Sequence, residues 1–157
     1  MGGREGLYLI SVRPKFAYRM LLGVKKYELR RWPRVVPRKG SRVVIYASGT
    51  VQSIVGEFVV GRVIEGDYES VASALRGLES GLTGEDLSYI RGARKCIAIE
   101  VLSPRPYARP LSLAELRLVA PWFRPPRSIA ELDPCDPLAM IIDRASACEA
   151  PKTPSES

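Results

Sequence analysis

Lys25, Glu28 and Arg30 are the residues of this sequence best placed to do chemistry. Glu28 is the only acid between Glu5 and Glu57, and it is set among Lys25, Lys26, Arg30 and Arg31. A carboxylate surrounded by cations stays ionised and can serve in two ways. It can hold a guanidinium and an ammonium in fixed directions toward a phosphate or a base edge, or it can be the acid–base partner of Lys25. The competing structural explanation is an ion pair on a strand surface, worth about 0–1 kcal/mol. On a strand, Glu28 and Arg30 at i and i+2 share a face about 7 Å apart, close enough for their side chains to pair. Lys25 has the wrong parity to join them. It follows Gly23 at a turn, however, where parity is not enforced and a four-carbon stem can swing round. A glycine there also lets backbone approach a ligand with no Cβ in the way.

Other chemistries are closed off by what the chain lacks. There is no histidine, so no Ser-His or Cys-His nucleophile and no ordinary near-neutral base. The three cysteines, Cys96, Cys135 and Cys148, are odd in number and widely spaced, which argues against a zinc site. Cys96 lies in an apolar strand and reads as a core residue. No metal and no cofactor is expected. Charge is unevenly distributed: residues 1–50 carry a balance of +10 and residues 51–157 a balance of −3. Eleven basic residues and one acid fall within 13–42, the footprint of a surface for polyanions. A charged surface that serves only stability would mix the two signs more evenly.

The elements that must position these residues can be read from spacing. At 157 residues and 46% hydrophobic, one domain with one core is expected. Leu7–Val12 reads as a strand, and Pro14 starts a helix whose apolar face is Phe16, Ala17, Met20 and Leu21, with Gly23 at its C-terminal cap. Lys26–Arg31 alternates as a half-buried strand should, Tyr27 and Leu29 on one side and Lys26, Glu28 and Arg30 on the other. Arg42–Ala47 and Ile54–Ile64 are β-branched strands, and Gly49, Gly56 and Gly61 suggest bulges and curvature. Helices follow from Tyr68, capped by Asp67, and from Thr83-Gly84-Glu85-Asp86. Cys96–Leu102 returns to strand, Ser112-Leu113-Ala114-Glu115 has a capping-box pattern, and Asp136–Cys148 reads as a last helix. Residues 149–157 are expected to be a disordered tail. No apolar run approaches the ~20 residues of a membrane span, and the first residues lack a secretory leader, so no membrane and a cytoplasmic location are expected.

The segment Gly23-Val24-Lys25-Lys26-Tyr27-Glu28-Leu29-Arg30 resembles the G-x-K-x-x-E-x-R signature of the ASCH domain. Its flanks are similar too. Ile10–Ala17 looks like that family's strand, Pro-Lys and helix entry; Gly40–Ser48 looks like the following strand, ending in Tyr-x-Ser; Ile54–Glu57 looks like the next; and Pro125-Pro126-Arg127-Ser128 looks like its Pro-Pro-x-Ser element. The resemblance spans roughly residues 8–132 and implies an α+β fold, a small curved PUA-like mixed β-barrel with peripheral helices, over residues 1–148. It also implies a cleft between the first helix and the barrel, lined by Lys15, Lys25, Glu28, Arg30, Tyr46, Ser48 and Ser128. Tyr18, Tyr27, Trp32 and Tyr46 are candidate stacking surfaces for unpaired bases, with Tyr27 better suited to core packing and Trp32 better exposed.

Three functions follow as expectations. The first is a module whose basic cleft binds single-stranded or modified RNA, with a regulatory role in transcription or translation. The second is a hydrolase acting on RNA or on an N-acylated nucleoside through Lys25, its proton displaced by neighbouring cations or burial, with Glu28 as partner. The resemblance extends to an amidohydrolase of N4-acetylcytidine that uses the signature lysine, although that enzyme has Thr where this chain has Glu28. The third is a transcription co-regulator whose acidic-leaning C-terminal half touches other proteins.

Overall fold

The computed structural model describes residues 6–148, so the tail expected over 149–157 lies outside the described residues. Six strands form a single sheet in the order β2-β5-β4-β3-β1-β6, where β1 is Leu7–Val12, β2 Tyr27–Arg31, β3 Arg42–Ala47, β4 Ser53–Gly66, β5 Cys96–Ser112 and β6 Ile129–Leu132. β1 and β3 run parallel and every other neighbouring pair is antiparallel. Among the described residues five helices lie around the sheet: α1 (Pro14–Leu21), α2 (Tyr68–Arg76), α3 (Gly84–Ser88), α4 (Leu113–Val119) and α5 (Pro137–Ala147).

The central strands are buried on both faces, which explains their near-continuous apolar runs. Along β1 and β3, Tyr8, Ile10, Val12, Val43, Ile45 and Ala47 face the cluster built around α1. The alternate residues Leu7, Leu9, Val44 and Tyr46 face a second cluster under α4 and α5. A third cluster joins Tyr27 and Leu29 to α2 through Val71 and Leu75. The sheet bends where pairing slips. Register shifts fall between Ile45 and Tyr46 and at three places along β4, next to Gly56 and Gly61, so the expected curvature is present.

Two strand assignments from spacing need correction. β5 does not stop at Leu102 but runs on to Ser112 through Pro104, Pro106 and Pro110. Beyond Val101 this strand pairs with β4 only, because β2 reaches no farther than Glu100, and a strand bonded on one side tolerates proline. Ser103, at φ 48°, makes the kink that resets the register between Leu102 and Arg105. β6 was not anticipated at all; it is four residues long and follows Pro125 and Pro126. No helix of the described residues is long and apolar enough to cross a membrane.

Candidate functional site

The site begins with how α1 ends. Gly23 takes φ 77°, its N–H donates to the Met20 carbonyl at 3.1 Å, and the Val24 N–H donates to the Arg19 carbonyl at 3.0 Å. This is a Schellman turn, and glycine supplies its left-handed residue at no steric cost. The loop before α3 clamps the turn from outside. Gly81 sits at φ 69°, and a Cβ there would stand 1.7 Å from the Val24 carbonyl oxygen, so no other residue fits. Arg19 donates to the Gly81 carbonyl at 2.9 Å, and the Lys26 N–H donates to Ser80 O at 2.9 Å. Held in this way, the chain turns the Lys25 side chain inward, where it is only 4% exposed.

Lys25 Nζ donates to Glu28 Oε1 at 2.8 Å, lies 3.5 Å from Asp86 Oδ1 and stands 4.8 Å from the centre of the Phe16 ring. Glu28 Oε2 accepts from Arg30 at 2.9 Å, and the same guanidinium donates to the Ser11 carbonyl at 2.6 Å. Glu28 and Arg30 thus meet across the i and i+2 spacing, and Lys25 swings round to join them as expected. The exposure does not match: Tyr27, Glu28 and Leu29 are all buried, so this stretch is covered on both faces and the ion pair is not a surface one. Burial pushes the Glu28 carboxyl up, but Arg30 and Lys25 outweigh it and hold the group below the ordinary carboxylate range.

Asp86 completes the group. It is the third residue of α3, and its Oδ2 accepts from the Thr83 N–H at 2.7 Å, the Thr83 hydroxyl at 2.9 Å and Arg19 at 3.2 Å. Burial pushes its carboxyl up, and the Thr83 bonds, Lys25 and Arg19 together bring it below its ordinary value. Its Oδ1 is the one buried side-chain oxygen without a hydrogen bond among the described residues. The groups at ion-pair distance from Lys25 are therefore carboxylates, not cations. Two carboxylates fix the direction of the Lys25 side chain, an arrangement suited to holding an anion beside it.

These residues floor an open cleft of about 720 Å³. Its wall brings together Ser11 and Val12 at the end of β1, Tyr46 from β3, and Pro125–Ser128 before β6. The Ser11 N–H donates to the Ser128 carbonyl at 3.1 Å, and Ser11 Oγ donates to the Pro126 carbonyl at 2.6 Å, tying the two walls. Ser48 Oγ donates to the Val12 carbonyl at 3.3 Å. Burial pushes the Tyr46 phenol up, partly opposed by Arg117.

No protein-family model matches the chain. Among individual proteins, the ASCH domain-containing ribonuclease of Zymomonas mobilis is 31% identical over 126 residues, 79% of this chain and 82% of that protein. The chain belongs to the ASCH-domain family. The crystal structure of ASCH from Zymomonas mobilis has the same fold, with a TM-score of 0.78 at 28% identity over 92% of this chain and 99% of that one. Human THYN1, solved in complex with DNA containing 5-methylcytosine, shares the PUA-like fold at a TM-score of 0.56 and 13% identity, over 92% of this chain and 100% of its own.

Within this ASCH fold the sequence-derived residues mostly converge. Lys25, Glu28, Arg30, Trp32, Tyr46, Ser48 and Ser128 all border the cleft. Lys15 does not. It is exposed on the first turn of α1 and pairs with Glu85 at 2.8 Å, because the adjacent Phe16 takes the inward position. Tyr27 is core and Tyr18 is exposed away from the lining, so neither is a stacking surface of the cleft. Sequence reasoning missed Arg13, Phe16, Gln52, Asp86, Tyr89 and Arg127 as lining residues. The Asp86 signal was present, in Thr83-Gly84-Glu85-Asp86, but it read only as a helix start. Its second role, beside Lys25, appears only when the loop packs.

Proposed function

We propose that this ASCH protein binds single-stranded or modified RNA, holding one unpaired nucleotide in the cleft. The observation that carries the reading is the buried Lys25–Glu28–Arg30 group, open to a cleft that Arg13, Arg31 and Arg127 also line. Five cations against two acids among those lining residues make a basic cleft, and the family membership fits RNA as the polymer. The Tyr46 hydroxyl and the Ser48 and Ser128 side chains, which border the cleft, add neutral donors and acceptors suited to a base edge or a 2′-hydroxyl. The reading includes a cytoplasmic location, residues 1–148 acting as one unit, and a regulatory role in transcription or translation where RNA is held and not cut.

Fluorescence anisotropy with labelled single-stranded RNA, duplex RNA and single-stranded DNA, each over a range of salt, tests it. Single-stranded RNA should bind best, with log K falling about 0.7 per phosphate contact for each decade of salt. Absence of RNA binding, or binding indifferent to salt, would contradict it.

A second reading, a hydrolase, rests on the relative named a ribonuclease. In that case the Lys25 ammonium would hold the reacting phosphate or acyl oxygen, with Glu28 fixing its direction. Incubating end-labelled RNA and N4-acetylcytidine with the protein, and with Lys25→Met, separates the readings. Conversion that Lys25→Met abolishes supports the enzyme, and intact substrates leave the binding module.

A further inference from the structure

Two cation–aromatic pairs place their rings on the cleft, on different elements; Arg13 lines it too, and Lys95 lies outside the lining. Trp32 follows the end of β2, is 39% exposed, borders the cleft, and carries Lys95 Nζ 3.7 Å from its ring centre. Tyr89 follows α3, is 41% exposed, borders the cleft, and lies under the Arg13 guanidinium at 5.9 Å. The two platforms are joined: Arg31, one residue before Trp32, donates to the Tyr89 carbonyl at 3.1 Å and to Arg91 O at 2.9 Å. Tyr89 also meets Phe16 edge-on at 5.6 Å, and Phe16 is the ring beside the Lys25 ammonium.

Neither Lys95 nor Arg13 has a carboxylate partner among the described residues, whereas Lys15, Arg19, Lys25, Arg30 and Arg42 all do. In each pair the unpaired cation lies over one face of an exposed ring, which leaves the opposite face for a base and a positive charge for its phosphate. A cleft built for a free nucleoside would need the floor alone. Two such pairs beside the floor offer places for three nucleotides.

Resting on the RNA-binding reading, we infer that the cleft takes an internal nucleotide of a single strand. Its two neighbours stack on Trp32 and Tyr89, with their phosphates on Lys95 and Arg13, giving a footprint of three nucleotides. Competition against a labelled RNA by oligouridylates of one to six nucleotides tests this, with oligomer integrity checked by mass spectrometry. Affinity should climb at least about tenfold from one to three nucleotides and then level off. In Trp32→Ala and in Tyr89→Ala the ratio of trinucleotide to mononucleotide affinity should drop several-fold, and Lys95→Ala should lower the salt slope for the trinucleotide by about 0.7. Circular dichroism of each variant confirms folding, since both rings are exposed.

Affinity that does not rise beyond one nucleotide would overturn the inference while leaving RNA binding intact. So would unchanged ratios in both aromatic variants. Failure of every length to bind would overturn the RNA reading itself, and the footprint with it.

Discussion

Two buried carboxylates, Glu28 and Glu57, sit in the same sheet with similar partners and different surroundings. Glu57 accepts from Arg42 Nε and Nη2, both at 3.0 Å, from the Tyr107 hydroxyl at 2.7 Å and from Ser146 Oγ at 2.6 Å. Arg105 lies 3.4 Å away and donates to the carbonyl and hydroxyl of Ser146. Arg42 then reaches Asp143 at 2.8 Å. β3, β4 and β5 are thereby tied to α5, with both carboxylate oxygens occupied. Both oxygens of Glu28 are occupied as well, by Lys25, the Leu29 N–H and Arg30, but here Lys25 is shared with a second carboxylate, Asp86 Oδ1 has no hydrogen bond, and the group opens onto a cleft. A carboxylate whose partners all belong to packed elements fastens those elements together, whereas an ammonium shared between two carboxylates beside an open cleft is available to a ligand.

That contrast is open to direct attack. The largest effect is expected from Glu57→Ala, which strands Arg42 and the Tyr107 and Ser146 hydroxyls; chemical denaturation should register a loss of about 3–5 kcal/mol. RNA affinity of the folded fraction should stay within about twofold, since the site lies elsewhere. Next is the double variant Lys25→Met with Glu28→Met, which replaces the pair by apolar groups of similar size. Its stability should fall by no more than about 2 kcal/mol, while RNA affinity should drop at least tenfold, or about 1.4 kcal/mol. If the double variant unfolds and Glu57→Ala does not, the assignment of the two roles is reversed.

Acid should act on the closed cluster. Burial pushes Glu57 up, but bonds from Arg42, Ser146 and Tyr107 bring it from 4.5 down to about 2. Its folded value is below its unfolded one, so its stabilisation is present above pH 4.5 and lost as pH falls toward 2. Glu28 and Asp86 are lowered as well and act in the same direction. Urea titrations across this range should show a shallower acid loss in Glu57→Ala than in the parent. The smallest effect belongs to Lys15→Ala. An exposed pair with Glu85 outside the cleft should be worth less than about 0.5 kcal/mol and leave RNA affinity as it was.

What could be read from the sequence was what is local. Strand β1, the Pro14 start of α1, the Gly23 turn and the Glu28–Arg30 pairing each depend on residues a few positions apart, and period and turn chemistry encode those directly. Asp86 is 67 residues from Arg19, and only the docking of the 80–86 loop on the Lys25 turn brings them together. Tyr89 and Arg13 were hidden for the same reason. β5 was cut short because prolines argue against a strand unless one side is known to be unpaired, which is a fact of topology. Lys15 was misplaced by its neighbour: one residue along a helix is about 100° around it, and Phe16 takes the inward direction.

The central claim, that the cleft and not the α5 side of the molecule holds single-stranded RNA, can be tested by photocrosslinking. A short RNA carrying 4-thiouridine would be irradiated with the protein and the adducts mapped by peptide mass spectrometry. Adducts on peptides containing Phe16, Trp32, Tyr46 or Tyr89 are predicted. Adducts confined to the α4 and α5 side, around Leu118, Trp122 or Met140, would contradict the account.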